Sequence, residues 1–419
     1  MSNPERSFSG LLKHLGPGLV FAGTCIGVSH VVQSTRAGAV YGYGLLWAVI
    51  AANVIKFPFF EFAPRYVMAT GEHLLEGYRR VGQWAFYLFI VLSLLSMFPI
   101  QSAVTLVTTG LFVNLFHWPY PPVMMAGVVL LICSAILLMG KYKMLEKSMK
   151  FMIVLLGVST VFAFIIAVCR GSSAQPQFVN TFQWDTDIGF LVALMGWMPT
   201  TFEIGVWLSF WTLEHIKKSK TKVNMKDSKL DFHVGYWGTT VMAVLFLSLG
   251  ALVMYGTGEV FSNSAVTFTG QVISLYVKAL GQWSYPIIVV AASVTMFSTT
   301  LACLDAFPRV ARETALMLFP SVKGKEDSIY VGWLAFVAIG SLVIIGLFVN
   351  NMKALVDFAT TLAFVAAPVF AYMNLRAVTS YHMPVEHRPS KGLLLFSWIG
   401  LVCLMGFALF YIYWRFFLS

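Results

Sequence analysis

The chain has 419 residues, of which 58% are hydrophobic and 11% are charged, and its mean hydropathy is +0.78. This composition excludes an ordinary soluble domain and predicts an all-α polytopic membrane protein. The formal net charge of +10 would suit a nucleic-acid partner only if the basic residues formed a binding surface.

Eleven apolar stretches are long enough to cross a bilayer, since a spanning helix needs ~20 apolar residues. They lie at roughly 17–40, 43–68, 84–115, 121–140, 145–169, 187–212, 233–256, 284–317, 329–350, 354–376 and 393–417. With the N-terminus in the cytoplasm, 22 of the 28 Lys and Arg residues fall on the cytoplasmic side. This positive-inside bias explains the basic charge by topology, so no nucleic-acid partner is predicted.

The same bias predicts a multi-pass protein of the cell (inner) membrane, with a cytoplasmic N-terminus and the C-terminus outside. The first ten residues are polar, and no removable signal peptide is expected. The densest basic run, 217–229, is predicted to be a solvated cytoplasmic loop. A single transmembrane domain, 1–419, and a monomer are expected.

Span 1 is interrupted in its middle by small residues that include Gly23, Gly27 and Ser29, and a lone His30 follows them. Glycine is worse than alanine in a helix by about 1 kcal/mol, and lipid tolerates irregular backbone only where it lines a protein cavity. The stretch 25–30 is therefore predicted to be unwound. His30 is predicted to face that cavity, and the alternative is a histidine satisfied by a neighbouring helix.

Spans 2 and 3 carry a few polar residues in apolar surroundings. Glu61 and Arg65 are one turn apart and predict an ion pair at the end of span 2, while Lys56 lies near or inside that span. Span 3 has no carboxylate; it holds Gln101 just after Pro99, which is expected to kink the helix.

Span 6 repeats the interruption of span 1. Its middle holds Gly196, Met198, Pro199 and Thr200, and the intramembrane acid Glu203 follows. Such an acid is a functional candidate by default, although an Arg or a hydroxyl partner would make it structural.

Two broken helices at corresponding positions of two halves are typical of secondary transporters with inverted repeats. The first repeat is predicted to cover 1–169 and the second 187–376, with 393–417 as an extra helix. The interruptions of spans 1 and 6 would then meet in the middle of the membrane.

Span 8 carries three hydroxyls on one helix face, at Thr295, Ser298 and Thr299. They can supply oxygen ligands to Na⁺, together with backbone carbonyls near Thr24, or they can simply bond to neighbouring helices. The sequence leaves both interpretations open.

Two further acids lie near the ends of spans 8 and 10. Asp305 has Arg309 one turn away, which predicts a structural pair near the cytoplasmic mouth. Asp357, with Thr360 and Thr361, forms a polar face near the outer side, and its role is left open.

The stretch from GPG at 16–18 to RAGAVYGYGLLW at 36–47 resembles the Nramp family of metal-ion transporters. Met-Pro at 198–199 resembles the start of the family's sixth-span Met-Pro-His, and TLACLD at 300–305 is similar to part of its eighth span. The resemblance implies a LeuT-type fold of 5+5 inverted repeats plus an eleventh helix, with helices 1 and 6 unwound at mid-membrane. It also implies alternating access.

Several residues that the family uses for metal are replaced here. The family's Asp-Pro-Gly-Asn in the first break is Gly-Val-Ser-His, so that Gly27 stands at the metal-binding carboxylate and His30 at the amide. Thr200 stands at the sixth-span histidine and Gln101 near the third-span acid, while Met198 keeps the family's residue. These departures argue against transition-metal transport and against proton coupling.

Such a site favours the binding of an anion over that of a metal cation, because two half helices would begin there with unpaired N–H groups. The leading hypothesis is a secondary transporter of a small anion, with bicarbonate the best single guess, coupled to Na⁺. The predicted substrate residues are Gly27, Ser29, His30, Met198, Thr200 and Thr201. The predicted Na⁺ residues are Thr24, Thr295, Ser298 and Thr299, and Glu203 is a possible proton or charge site.

Two rival hypotheses remain. One is a proton-coupled divalent-metal transporter for Mn²⁺, Fe²⁺ or Mg²⁺ that recruits Glu203 or backbone carbonyls. The other is a non-transporting sensor on a transporter fold. No motif of nucleophile, base and metal ligands suggests an enzyme, and no cofactor is predicted. The five cysteines are expected to be inert, without a metal cluster.

Overall fold

The computed structural model describes residues 16–140, 142–170, 182–218 and 223–417, and the regular structure in these ranges is helical, without strands. Predictions for the first 15 residues lie outside the described ranges. The longer helices are Pro17–Cys25, Ser29–Ser34 (a π-helix), Thr35–Tyr41, Leu46–Thr70, Leu74–Val81, Gln83–Phe116, Pro122–Leu138, Tyr142–Arg170, Ile188–Gly196, Ile204–Lys218, Met225–Val253, Ala265–Leu280, Tyr285–Leu318, Glu326–Phe348, Met352–Thr379 and Lys391–Phe417.

Seven helices in the described part of the chain are long and apolar enough to cross a membrane, namely those of spans 2, 3, 7, 8, 9, 10 and 11. The apolar helices of spans 4 and 5 are shorter over their described residues, at Pro122–Leu138 and Val154–Arg170. Spans 1 and 6 are not among these seven helices, because each consists of two shorter half helices. We call the end of the bundle where span 1 begins the inner end, since the charge bias predicts that it faces the cytoplasm.

Both predicted interruptions are present. In span 1 the α-helix ends at Cys25, and helical backbone resumes as a π-helix at Ser29. In span 6 the first half ends at Gly196 and the second begins at Ile204, because Pro199 has no N–H to continue the helix. The unwound centres of helices 1 and 6 are thus confirmed, and His30 lies just inside the second half of span 1.

The prediction of a loop over 217–229 is wrong in part. The helix of span 6 continues to Lys218 and that of span 7 already begins at Met225, while 219–222 lie outside the described ranges. Asn224 starts span 7 early, since its side chain accepts a hydrogen bond from the Asp227 N–H at 2.9 Å, as an N-cap does. The helices Leu74–Val81 and Ala265–Leu280 were not foreseen at all.

Glycines allow span 1 to pack directly on the backbone of span 7. A Cβ at Gly18 would lie 2.0 Å from the Asp231 carbonyl oxygen, and one at Gly38 would lie 1.8 Å from that of Leu247. Small residues that let two helix backbones touch are typical of membrane bundles. This close packing fixes both halves of span 1 and therefore the position of the break between them.

Candidate functional site

A small cavity of about 30 Å³ lies between the two breaks. This is more than the ~10–15 Å³ that a cavity needs to hold one water molecule. Its lining consists of Thr24, Cys25, Val28, Ser29, Ile100, Val104, Trp197, Thr200, Thr201, Ile204, Trp207, Thr299 and Cys303. The lining therefore draws on spans 1, 3, 6 and 8, and no carboxylate is part of it in the described chain.

The structure brings five of the predicted site residues together on this cavity, namely Thr24, Ser29, Thr200, Thr201 and Thr299. The remaining predicted side chains lie elsewhere. Met198 is fully buried in an apolar cluster with Ala37 and Tyr41, and Thr295 and Ser298 are buried in span 8 without lining the cavity.

His30 does not line the cavity, and the prediction that its side chain faces it is wrong in this structure. The ring is fully buried, and its Nε2 donates to the Thr239 carbonyl of span 7 at 3.0 Å. Its Nδ1 lies 2.8 Å from the Ser29 hydroxyl. The alternative interpretation, a histidine satisfied by a neighbouring helix, fits these contacts.

At Gly27, the break packs directly against span 8. A Cβ at Gly27 would lie 3.0 Å from Thr299 Cγ2 and 3.2 Å from Thr299 Oγ1. Such a contact is tighter than ordinary van der Waals distance, so a larger side chain requires Thr299 to move. The backbone of the break and the Thr299 side chain are therefore in close contact at this point.

Oxygen atoms converge where spans 1 and 8 meet. The Thr299 hydroxyl lies 3.4 Å from the Gly23 carbonyl oxygen and 3.3 Å from that of Thr295. The hydroxyls of Thr24 and Thr295 instead donate within their own helices, to Val20 and Ala291. Only part of the predicted hydroxyl set therefore points toward span 1, and backbone carbonyls supply the rest of the oxygens.

Two buried polar groups on the cavity residues have no hydrogen-bond partner among the described residues. They are the indole Nε1 of Trp197 and the hydroxyl of Thr201, which also neighbours the Glu203 carboxylate. An unsatisfied buried polar group costs ~1–3 kcal/mol, so it stands out in a native structure. The indole N–H can only donate, which favours a hydrogen-bond acceptor as the cavity's occupant.

Glu203 is buried beside the break but faces spans 2 and 3 and not the cavity. Its neighbours are the hydroxyls of Ser96 and Thr201 and the ammonium of Lys56. Neither carboxylate oxygen has a partner in hydrogen-bonding geometry within the described chain. Lys56 itself is fully buried in span 2, and its part in the site was missed, although a lysine among apolar residues was a visible signal.

Ion pairs hold both ends of the bundle. The predicted pairs Arg65–Glu61 and Arg309–Asp305 are confirmed, at 2.6 and 2.7 Å. At the outer end, Asp357 pairs with Arg36 of span 1 at 2.7 Å, a partner that the sequence did not reveal. This last pair ties span 1 to span 10 above the breaks.

An aromatic pair separates the cavity from the inner end. A vestibule of about 710 Å³ opens there, lined by residues that include Trp211 and Asp305. Between it and the cavity, the rings of Trp207 and Phe307 pack edge to face with centroids 5.0 Å apart. Trp207 also lines the cavity, and Trp211 on the same helix lines the vestibule, so we infer that the Trp207–Phe307 pair lies between the two.

A family model described as "Natural resistance-associated macrophage protein-like" matches residues 18–413. The chain belongs to the Nramp family. An uncharacterized protein of Pasteurella multocida is 35% identical over 402 residues, covering 95% of this chain and 91% of that protein. A metal transporter of Oryza sativa subsp. japonica is 26% identical over 207 residues, covering 46% of this chain and 36% of its own length.

Among solved structures, a mutant of the Eremococcus coleocola manganese transporter superposes with a TM-score of 0.73 at 14% identity, covering 100% of this chain and 90% of that one. The likeness confirms the LeuT-type fold. This Nramp protein is accordingly a multi-pass membrane transporter for a small ion, and not an enzyme. The boundaries of its two repeats stay a prediction.

Proposed function

We propose that this Nramp protein carries a small anion, with bicarbonate as the best single candidate, into the cell together with Na⁺. The observation that carries the proposal is the lining of the cavity, which offers the unpartnered groups of Trp197 and Thr201 and no carboxylate among the described residues. A cation at mid-membrane needs an anionic ligand, whereas an oxyanion needs donors.

The geometry of span 6 adds to this preference. Its second half begins at Ile204, just after the cavity residues Thr200 and Thr201. The first N–H groups of a helix have no partner within the helix, and its N-terminus carries a positive partial charge. Bicarbonate is favoured among oxyanions because the cavity is compact and rich in hydroxyls.

Sodium coupling is supported by the oxygens at the contact of spans 1 and 8. The Thr299 hydroxyl lies within 3.4 Å of the Gly23 carbonyl oxygen and of the Thr295 carbonyl oxygen, and hard cations take such neutral oxygens. An anion entering a cell that is negative inside is opposed by about 2.3 kcal/mol per 100 mV. A co-transported cation offsets that cost.

The second candidate function is proton-coupled transport of a divalent metal. It is favoured by the family and by the likeness to a manganese transporter. It would have to recruit Glu203, which faces away from the cavity, or backbone carbonyls. No group of three or more His, Cys, Asp or Glu placed to hold a metal ion occurs in the described ranges.

Removing the two unpartnered donors should weaken substrate binding. We expect Trp197→Phe and Thr201→Val each to raise the bicarbonate concentration for half-maximal uptake by up to about tenfold, since one hydrogen bond is worth ~0.5–1.5 kcal/mol. The measurement is uptake of labelled bicarbonate into proteoliposomes with an inward Na⁺ gradient.

The chain offers matched controls for this experiment. Trp118 and Thr109 have equally unpartnered buried groups, but neither lines the cavity. Trp118→Phe and Thr109→Val should leave uptake unchanged. Equal effects of all four variants would mean that the cavity donors do not bind the substrate.

Thr299→Ala tests the sodium site. We expect a several-fold rise in the Na⁺ concentration for half-maximal uptake, with the preference among anions unchanged, because one oxygen ligand is lost. The control is Thr300→Ala, since the Thr300 hydroxyl faces Thr108 of span 3 at 2.7 Å. Uptake that is equally fast in Na⁺-free buffer would exclude sodium coupling.

A further inference from the structure

Lys56 places a charged group at the break of span 6. Its side chain comes from the middle of span 2 and is fully buried. The Nζ atom donates to the carbonyl oxygens of Met195 and Gly196, at 2.7 and 2.9 Å. These are the last two residues of the first half of span 6.

A broken helix presents two opposite ends to a binding site. The half that ends there exposes unpaired carbonyls with a negative partial charge, and the half that begins there exposes unpaired N–H groups with a positive one. Carbonyl ends coordinate cations and N–H ends bind anions in transporters with discontinuous helices. A break with both ends open is therefore able to bind either kind of ion.

In this chain one of the two ends of span 6 is already filled. The ammonium of Lys56 takes the carbonyls that a substrate cation would use, and the N–H end begins after the cavity residues Thr200 and Thr201, with Glu203 beside it. We propose that Lys56 is a specificity-determining residue, an internal cation that keeps substrate cations off the carbonyl end and leaves the N–H end for an anion.

Two side chains lie close to the Lys56 ammonium. The Phe202 ring lies 5.5 Å from Nζ, in range of a cation–π contact, and Glu203 is the nearby carboxylate. Gly196 packs so tightly on span 10 that a Cβ there would lie 2.0 Å from the Thr360 carbonyl oxygen. The carbonyl end is thus held in a fixed position for the ammonium.

Removing the charge should open the carbonyl end to cations. In Lys56→Met the Gly196 carbonyl loses its lysine donor, the Met195 carbonyl keeps the Met198 N–H at 3.3 Å, and Glu203 loses its neighbouring cation. We therefore expect saturable Mn²⁺ binding by calorimetry in the variant and none in the wild type. Lys56→Gln, which keeps a donor without charge, should bind Mn²⁺ more weakly. The additional change Glu203→Gln in Lys56→Met should abolish the gained binding.

A matched control removes a lysine–carbonyl bond far from the break. The Lys353 Nζ donates to the Phe261 carbonyl oxygen at 2.7 Å, and Lys353→Met should gain no Mn²⁺ binding. A structural role alone would change the thermal stability of Lys56→Met without any gain of cation binding, and that result would overturn the proposal. Failure of Lys56→Met, Lys56→Gln and the double variant to fold would likewise make Lys56 purely structural.

The part of this inference that concerns anion binding rests on the proposed function. The exclusion of cations by Lys56 can be tested separately from it. Lys56→Met should also lower bicarbonate uptake by about tenfold or more, because the variant removes the positive charge that lies near the bound anion. A wild type that carries no bicarbonate would overturn the proposed function, while the gain of Mn²⁺ binding still decides whether Lys56 excludes cations.

Discussion

Trp207→Ala should make the cavity thiols reactive from the inner end. In the structure Cys25 and Cys303 line a cavity that the Trp207–Phe307 pair separates from the vestibule, and both are buried. Removing the indole takes away one side of that aromatic pair. Modification by a small water-soluble thiol reagent should then be at least about tenfold faster, because access controls the reactivity of a thiol.

The labelling is best done after Cys169 and Cys403, which are exposed, have been changed to serine. Trp211→Ala is the matched control, since Trp211 lines the vestibule but not the cavity and should leave the buried thiols protected. We also expect Trp207→Ala to abolish accumulation of substrate, because alternating access requires a closed path on one side. Unchanged labelling would show that other residues form the barrier.

His30→Ala should lose folded protein and uptake in the same proportion. The ring fills a fully buried position between spans 1 and 7, and its removal leaves a cavity and takes away the hydrogen bond to the Thr239 carbonyl. The cavity and the lost hydrogen bond together cost about 3 kcal/mol. Thermal unfolding of the purified protein in detergent measures the loss.

Uptake per folded molecule separates this structural role from substrate binding. We expect it to stay within about threefold of the wild type for His30→Gln, which keeps a donor for the carbonyl and should recover part of the stability. A variant that folds normally and transports nothing would place His30 in the binding machinery after all.

The sequence was most informative where the determining contacts are local. Gly27 and Pro199 break their helices through their own backbone chemistry, and the Arg65–Glu61 and Arg309–Asp305 pairs are one turn apart. For the same reason, the apolar length of the spans was enough to recognise a polytopic bundle.

Contacts between distant segments were not predictable in this way. Lys56 bonds to carbonyls 139 and 140 positions away, and Arg36 pairs with Asp357 across 321 positions. The orientation of the His30 side chain depends on a carbonyl of span 7, and no pattern in the neighbouring sequence reveals that contact. The helix Ala265–Leu280 was missed because a search for long apolar stretches passes over an amphipathic segment of 16 residues.

The most direct test of the central claim is a side-by-side uptake measurement on wild-type proteoliposomes. Labelled bicarbonate and labelled Mn²⁺ are each offered with and without an inward Na⁺ gradient, and empty liposomes give the background. We predict saturable bicarbonate uptake that requires Na⁺, and Mn²⁺ uptake at background. Saturable Mn²⁺ uptake with bicarbonate at background would contradict the anion assignment and favour the metal transporter.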